Sequence, residues 1–187
     1  MATIKDKASG NPDLALQFDR DQTHGPESSD EVETTAVVVY RQEGQWQVGL
    51  LPSVLGADLD GLVDAVKQQS GDGGSFALVD VAHEFFVIVR VTHGRECFLL
   101  SDVTAAVAWD LALQVVEELD LDVPGEEDLD DVLPAGDLGI FADLGLEEME
   151  MGMVLSDTEL YADEVLLALA RRLGFVEPYE KVITGLG

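Results

Sequence analysis

Residues 35–41 read TAVVVYR, and this run of β-branched side chains decides the fold class. Valine and threonine suit the pleated, buried surface of a sheet, so the run predicts a buried β-strand. A turn at Glu43-Gly44 follows it. Residues 46–50 then alternate between apolar side chains and small or polar ones, which predicts a second strand with one wet face. The two runs together predict a β-hairpin.

Further apolar runs extend this hairpin into a sheet. Residues 76–81, 85–91 and 97–100 predict three more strands joined by short turns. Helical spacing of apolar residues predicts one helix over residues 57–69 and another over residues 103–119. This order predicts an α+β domain with a five-stranded, mostly antiparallel sheet and packed helices. Profilin-like and roadblock-like folds share the order, an analogy that says little about function.

The C-terminal part predicts an acidic helical extension. Residues 120–135 form an acidic loop, and residues 136–146 contain too many glycines for a long helix. Residues 147–153 predict a short turn. The last clear helix is predicted to start at Ser156, because Ser156-x-x-Glu159 has the pattern of a capping box.

That last helix is predicted to end at Gly174, a residue type that often caps helices. A short helix over residues 178–183 follows. The chain therefore divides into three parts. Residues 1–33 are predicted to be a flexible tail, and residues 34–120 an α+β domain. Residues 121–187 are predicted to be an acidic loop and a helical extension packed on that domain. Within the tail, Leu14, Leu16 and Phe18 are an alternative short strand.

The charge of the chain limits its partners. Its 187 residues carry 38 Asp and Glu against 10 Lys and Arg, a net charge of −28, yet 47% are hydrophobic. That much apolar surface excludes a wholly disordered acidic chain. The charge argues against direct binding to nucleic acid, which is held through cations, and against anionic membranes. Without a signal-peptide pattern, a cytoplasmic protein is expected.

The acidic residues are concentrated in the second half of the chain, where residues 96–170 contain no Lys or Arg. A surface of this kind favours a basic protein partner. The predicted interaction surface consists of eight acidic residues: Glu126, Glu127, Asp128, Asp130, Asp131, Glu147, Glu148 and Glu150.

The acidic loop is also the best metal candidate. Asp120, Asp122 and Asp131 occupy positions 1, 3 and 12 of a calcium-loop pattern. Pro124, at position 5, offers no side-chain ligand, and position 12 is Asp rather than the bidentate Glu. A solvated acidic loop is therefore the favoured interpretation, and no cofactor is predicted.

Catalytic motifs are not found in the sequence. His24 lies in the tail, while His83 and His93 lie in predicted turns, where histidines are mostly solvated. Cys97 is the single cysteine and lies in an apolar run, so it is interpreted as a small buried hydrophobe. No hydrolase, zinc-protease or nucleotide-binding pattern occurs.

Several blocks of the chain resemble the tRNA adenosine deaminase-associated proteins of actinobacteria. The blocks are VVVYRQEGQWQVGLLP (37–52), HEFFVIVRV (83–91), SDVTAAVAWDLA (101–112), PAGDLGIFADLGL (134–146) and ARRLGF (170–175). The resemblance covers roughly residues 35–183. It implies a link to a tRNA-editing deaminase, since the family is named from neighbouring genes, and it carries over no catalytic or ligand residues.

The family name does not imply deaminase activity. A zinc deaminase needs an H-x-E motif and a P-C-x-x-C motif. In this chain His83 is followed directly by Glu84, and Cys97 stands alone. A non-enzymatic acidic interaction protein, acting as an accessory or regulatory partner of the deaminase, is the favoured function. The alternatives are a small-molecule or metal-binding domain, an enzyme without readable motifs, and a purely structural role.

Overall fold

The computed structural model describes residues 33–69, 71–125, 132–157 and 159–185. Its centre is one antiparallel sheet in the order β2-β1-β3-β4-β5-β6. The strands are β1 (Thr34–Gln42), β2 (Gln45–Leu50), β3 (Ser75–Val81), β4 (Phe85–Thr92), β5 (Arg95–Leu100) and β6 (Ala135–Gly136). The predicted α+β class, the hairpin and the three-strand meander are confirmed.

The predicted number of five strands is wrong, because a sixth strand adds to the edge of β5. Gly136 pairs with Leu99, and Ala135 with Leu100. Two residues are too few to show an alternating pattern, so the sequence predicted the end of the acidic loop and the start of a glycine-rich segment there.

Helices cover both faces of the sheet in the described chain. They are α1 (Leu59–Lys67), α2 (Asp110–Glu118), α3 (Glu148–Leu155), α4 (Ala162–Leu173) and α5 (Val176–Thr184). Helices α1 and α2 pack on one core, and α3, α4 and α5 contribute to the other. None of these helices is long and apolar enough to cross a membrane.

The central strand β3 explains why both faces need helices, since all seven of its residues are buried. Side chains alternate along a strand, so Ala77 and Val79 belong to the first core while Phe76 and Leu78 belong to the second. Asp80 lies on the same side of β3 as Phe76 and Leu78. Arg90 lies on the same side of β4 as Phe86 and Ile88, which also belong to the second core. Two charged side chains are therefore directed to the face that α3, α4 and α5 cover.

The helix predicted over residues 103–119 is broken in two. A 3-10 helix, Val103–Val107, precedes α2, and Trp109 between them has an extended backbone. The Asp102 side chain accepts a hydrogen bond from the Thr104 N–H and caps the first piece. The Trp109 ring lies 5.7 Å from that of Phe85. We attribute the break to this ring contact, which turns Trp109 toward the sheet.

The predicted helix start at Ser156 is also wrong. Residues 147–153 do not form a turn but enter α3, and Ser156 caps the C-terminal end of that helix. Its hydroxyl donates to the Gly152 carbonyl at 2.6 Å. Helix α4 starts six residues later at Ala162, with the Glu164 carboxylate accepting from the Tyr161 N–H. The predicted end at Gly174 is confirmed by its left-handed φ of 82°.

Candidate functional site

Three of the eight predicted surface residues lie at the start of α3. Glu147 precedes the helix, and Glu148 follows in its first turn, with both side chains exposed. Glu150 is partly buried, and its Oε1 lies 2.8 Å from Nη1 of Arg172 on α4. Glu147 and Glu148 form no ion pair with any residue that the structure describes. The other five residues lie outside the described residues, namely Glu126, Glu127, Asp128, Asp130 and Asp131.

Helix α3 exposes two large apolar side chains beside these carboxylates. Met149 is 79% exposed and Met153 is 69% exposed, whereas Met151 and Leu155 face the core. Positions two apart lie on nearly opposite sides of a helix, so α3 is apolar both toward the sheet and toward solvent. Exposed apolar surface with a polar rim is typical of protein interaction sites.

We define the α3 surface as Glu147, Glu148, Met149, Gly152 and Met153. An open depression of about 610 Å³ lies on it and is lined by Leu138 and by the first four of these residues. Sequence reasoning found the carboxylates and missed the methionines, because residues 147–153 were predicted as a turn. The spacing in E-M-E-M-G-M alternates with period two, which is not a helical pattern, so the sequence carried no clear signal for this helix.

A second cluster joins the β3–β4 turn to α4. His83 Nδ1 lies 2.7 Å from Oδ2 of the buried Asp80 and 3.7 Å from Oδ1 of Asp163. The contact to Asp80 is close, although its angles are not those of a well-aligned hydrogen bond. The His83 carbonyl also accepts from the Ala162 N–H at 3.2 Å. His83 was predicted as a solvated turn residue, and it instead binds the first turn of α4.

The environment raises the pKa of both Asp80 and His83. Burial raises the pKa of Asp80 above its usual value, although His83 partly offsets this. Burial alone would lower the pKa of His83, but the charges of Asp80, Asp163 and Glu33 outweigh it and raise the pKa. The folded protein therefore holds these protons more tightly than the unfolded chain does.

We expect this cluster to make the protein less stable as the pH rises. A raised pKa of His83 adds stability below its ordinary value of 6.5, and this is lost as the pH passes the raised value. Urea unfolding between about pH 6 and about pH 8.5 measures the slope. His83→Asn should flatten it, since asparagine tolerates the left-handed φ of 59° there.

His93→Asn is the matched control for this experiment. His93 is exposed and has a similar φ of 53°, so its replacement should leave the slope unchanged. An equal slope in wild type and His83→Asn would contradict the assignment to His83.

A buried arginine anchors the segment before α3. The Arg90 side chain is 4% exposed, and its Nη2 lies 2.8 Å from Oδ2 of Asp143. Its Nη1 donates to Oδ1 of Asp143 and to the Ile140 carbonyl, and Nη2 reaches the Gly73 carbonyl at 3.3 Å. The guanidinium hydrogen bond lowers the pKa of the Asp143 carboxyl. Arg90 thus ties residues 140–143 to β4.

The calcium-loop candidates are only partly described. Asp120 follows α2 with a left-handed φ of 54°, and Asp122 lies in the irregular segment after it. Asp131 lies outside the described residues. Within the described ranges, no three His, Cys, Asp or Glu side chains are grouped closely enough to hold a metal ion.

Cys97 differs from the sequence interpretation in being half-buried rather than fully buried. Burial raises the pKa of its thiol. A raised pKa disfavours the nucleophilic thiolate.

Comparison with known proteins supports one family. The model of the family described as "Rv3753c-like tRNA adenosine deaminase-associated protein" matches residues 34–176. Protein Rv3753c of Mycobacterium tuberculosis (strain ATCC 25618 / H37Rv) is 40% identical over 153 residues, which are 81% of this chain and 88% of that protein. No solved structure matches the chain.

Proposed function

Because the chain belongs to the Rv3753c-like tRNA adenosine deaminase-associated protein family, we propose that it is a non-enzymatic accessory protein that binds a tRNA adenosine deaminase. The observation that carries the proposal is the α3 surface. There, two exposed methionines stand beside two carboxylates without cationic partners in the described structure. Apolar area supplies binding energy, and the charges select a basic partner.

The net charge of −28 supports the same kind of partner. An enzyme that acts on tRNA must present cations to the phosphates of its substrate. An acidic protein is attracted to such a surface, and its field speeds the encounter at low salt. Bound there, the protein would compete with RNA and so regulate the enzyme.

The composition of the chain supports a non-catalytic role beside the deaminase. A zinc deaminase holds its metal with one His or Cys and two further Cys. This chain has one cysteine, Cys97, on β5, and its thiol pKa is raised by burial. The chain's own residues do not supply that ligand set, so we assign the chemistry to the partner.

Co-purification with the deaminase of the same organism tests the proposal. We expect a complex at about 50 mM salt that weakens at about 300 mM, since salt screens charges beyond the Debye length. The double variant Glu147→Gln/Glu148→Gln should bind roughly 3- to 30-fold more weakly, as expected for two exposed ion pairs.

The matched control is Glu117→Gln/Glu118→Gln. These two exposed residues end α2, on the opposite face of the sheet, and the change in net charge is the same. Equal weakening by both variants would mean that only the total charge matters. No complex at low salt with the wild-type protein would contradict the proposed function itself.

A further inference from the structure

Gly152 lies inside α3 although nothing in the described structure requires a glycine there. Its φ is not in the left-handed region, and a Cβ added to it would meet no atom within 4 Å. A glycine inside a helix is less favourable than alanine because it loses more backbone freedom on folding. The fold alone therefore gives no reason for this residue.

The neighbours of Gly152 supply a reason. Met149, Gly152 and Met153 are spaced i, i+3 and i+4, which places them on the same side of the helix. Met149 and Met153 point away from the buried Met151 and Leu155, and Gly152 lies at the edge of that exposed side and is half-buried. The missing Cβ leaves a notch beside the two exposed methionines, which lie one turn apart. Gly152 and Met149 line the open depression.

We propose that this notch receives a cationic amphipathic helix of the partner. An apolar side chain of that helix enters beside Met149 and Met153 and contacts the α3 backbone at Gly152. Lysine or arginine side chains of the same helix face Glu147 and Glu148. The inference rests on the proposed function and names the part of the deaminase that binds.

Three features of α3 favour a helix as the occupant. The absent Cβ allows a closer approach of two helix axes, whose separation depends on the side chains at the contact. Methionine side chains are flexible and adapt to the shape of an inserted group. Side chains spaced i±3 and i±4 on one helix form the ridges that pack into the grooves of another helix, and Met149, Gly152 and Met153 have this spacing. Glu150 is held by Arg172, so the charge available to the partner lies at the Glu147 end.

Gly152→Ala is expected to stabilise the fold and to weaken binding of the partner. We expect the melting temperature to rise by about 2 °C, because alanine favours the helix and meets open space. The dissociation constant for the purified deaminase of the same organism should increase about tenfold, because the new methyl fills the notch. Gly44→Ala, in the exposed β1–β2 turn, should lower the melting temperature and leave binding unchanged.

Calorimetric titration with that deaminase at about 50 mM salt separates the two proposals. If the wild type binds and Gly152→Ala binds equally well, the notch is not used, and the inference fails while the proposed function stands. If the wild type does not bind, the proposed function fails. A lysine–leucine amphipathic helical peptide then serves as the second probe. Shifts of the Met149 and Met153 methyl resonances that disappear in Gly152→Ala would still support the notch, and unshifted methyls would overturn it.

Discussion

Asp143→Ala is expected to lower the free energy of unfolding by about 3 kcal/mol, the lower end of the cost of breaking a buried ion pair from one side. The reason is the unequal burial of the pair. The Arg90 side chain is 4% exposed, whereas that of Asp143 is 58% exposed. Removing the carboxylate leaves a buried cation whose remaining hydrogen-bond partners, among the described residues, are the carbonyls of Gly73 and Ile140.

Replacing the other member of the pair, Arg90, should lower the free energy of unfolding by less. Arg90→Met replaces the buried cation with an apolar side chain that is somewhat shorter, and it leaves a carboxylate that water can reach. Its main cost is the loss of hydrogen bonds to two carbonyls, about 1–2 kcal/mol. Urea unfolding of both variants checks the order of the two effects. A larger loss for Arg90→Met would mean that arginine packing, and not charge compensation, anchors residues 140–143.

The same pair predicts how the protein responds to acid. Because Arg90 lowers the pKa of Asp143, the pair contributes stability above the usual carboxyl pKa of 3.8 and loses it as the pH falls through the lowered value. This is opposite in sign to the His83 cluster, whose contribution is lost as the pH rises. The two clusters therefore act on stability at opposite ends of the pH range.

The strands of the α+β domain were predictable because they follow simple patterns. Long β-branched runs such as TAVVVYR and FFVIVRV allow few alternatives, and β1 and β4 were placed within about a residue at each end. The same patterns could not reveal what Asp80 and Arg90 do. Each occupies an inward position in a buried strand. The partner of Arg90, Asp143, is distant in sequence, and the pairing of Asp80 with His83 depends on the geometry of the turn between them.

The sequence predicted the negative charge of the candidate site but not its helical structure. Glu147 and Glu148 were identified from the acid-rich composition alone. The helical state of α3 was not, since its glycine and short length weaken any periodic pattern. With the helix in place, Met149, Gly152 and Met153 fall on one side, and an acidic segment becomes a surface with a defined apolar centre.

Gly136→Ala is expected to destabilise the protein by about 2–5 kcal/mol, from left-handed backbone strain and overpacking together. Gly136 has a φ of 106°, and a Cβ there would lie 2.2 Å from the Phe98 carbonyl oxygen. That oxygen accepts the Asp137 N–H at 2.8 Å, so the backbone must approach this closely for β6 to pair with β5.

Gly44→Ala separates the cost of backbone strain from the cost of overpacking. Gly44 has a φ of 76° and open space around its added Cβ, so its replacement measures strain alone, about 1 kcal/mol. Urea unfolding of both variants gives the difference, which is the cost of the clash with Phe98. Strand β6 begins the segment that carries Phe141 and leads into α3, so Gly136→Ala should also weaken the proposed binding to a deaminase. Equal losses of stability in the two variants would mean that the β5–β6 edge can shift to accept a methyl group, and that Gly136 is needed only for its backbone conformation.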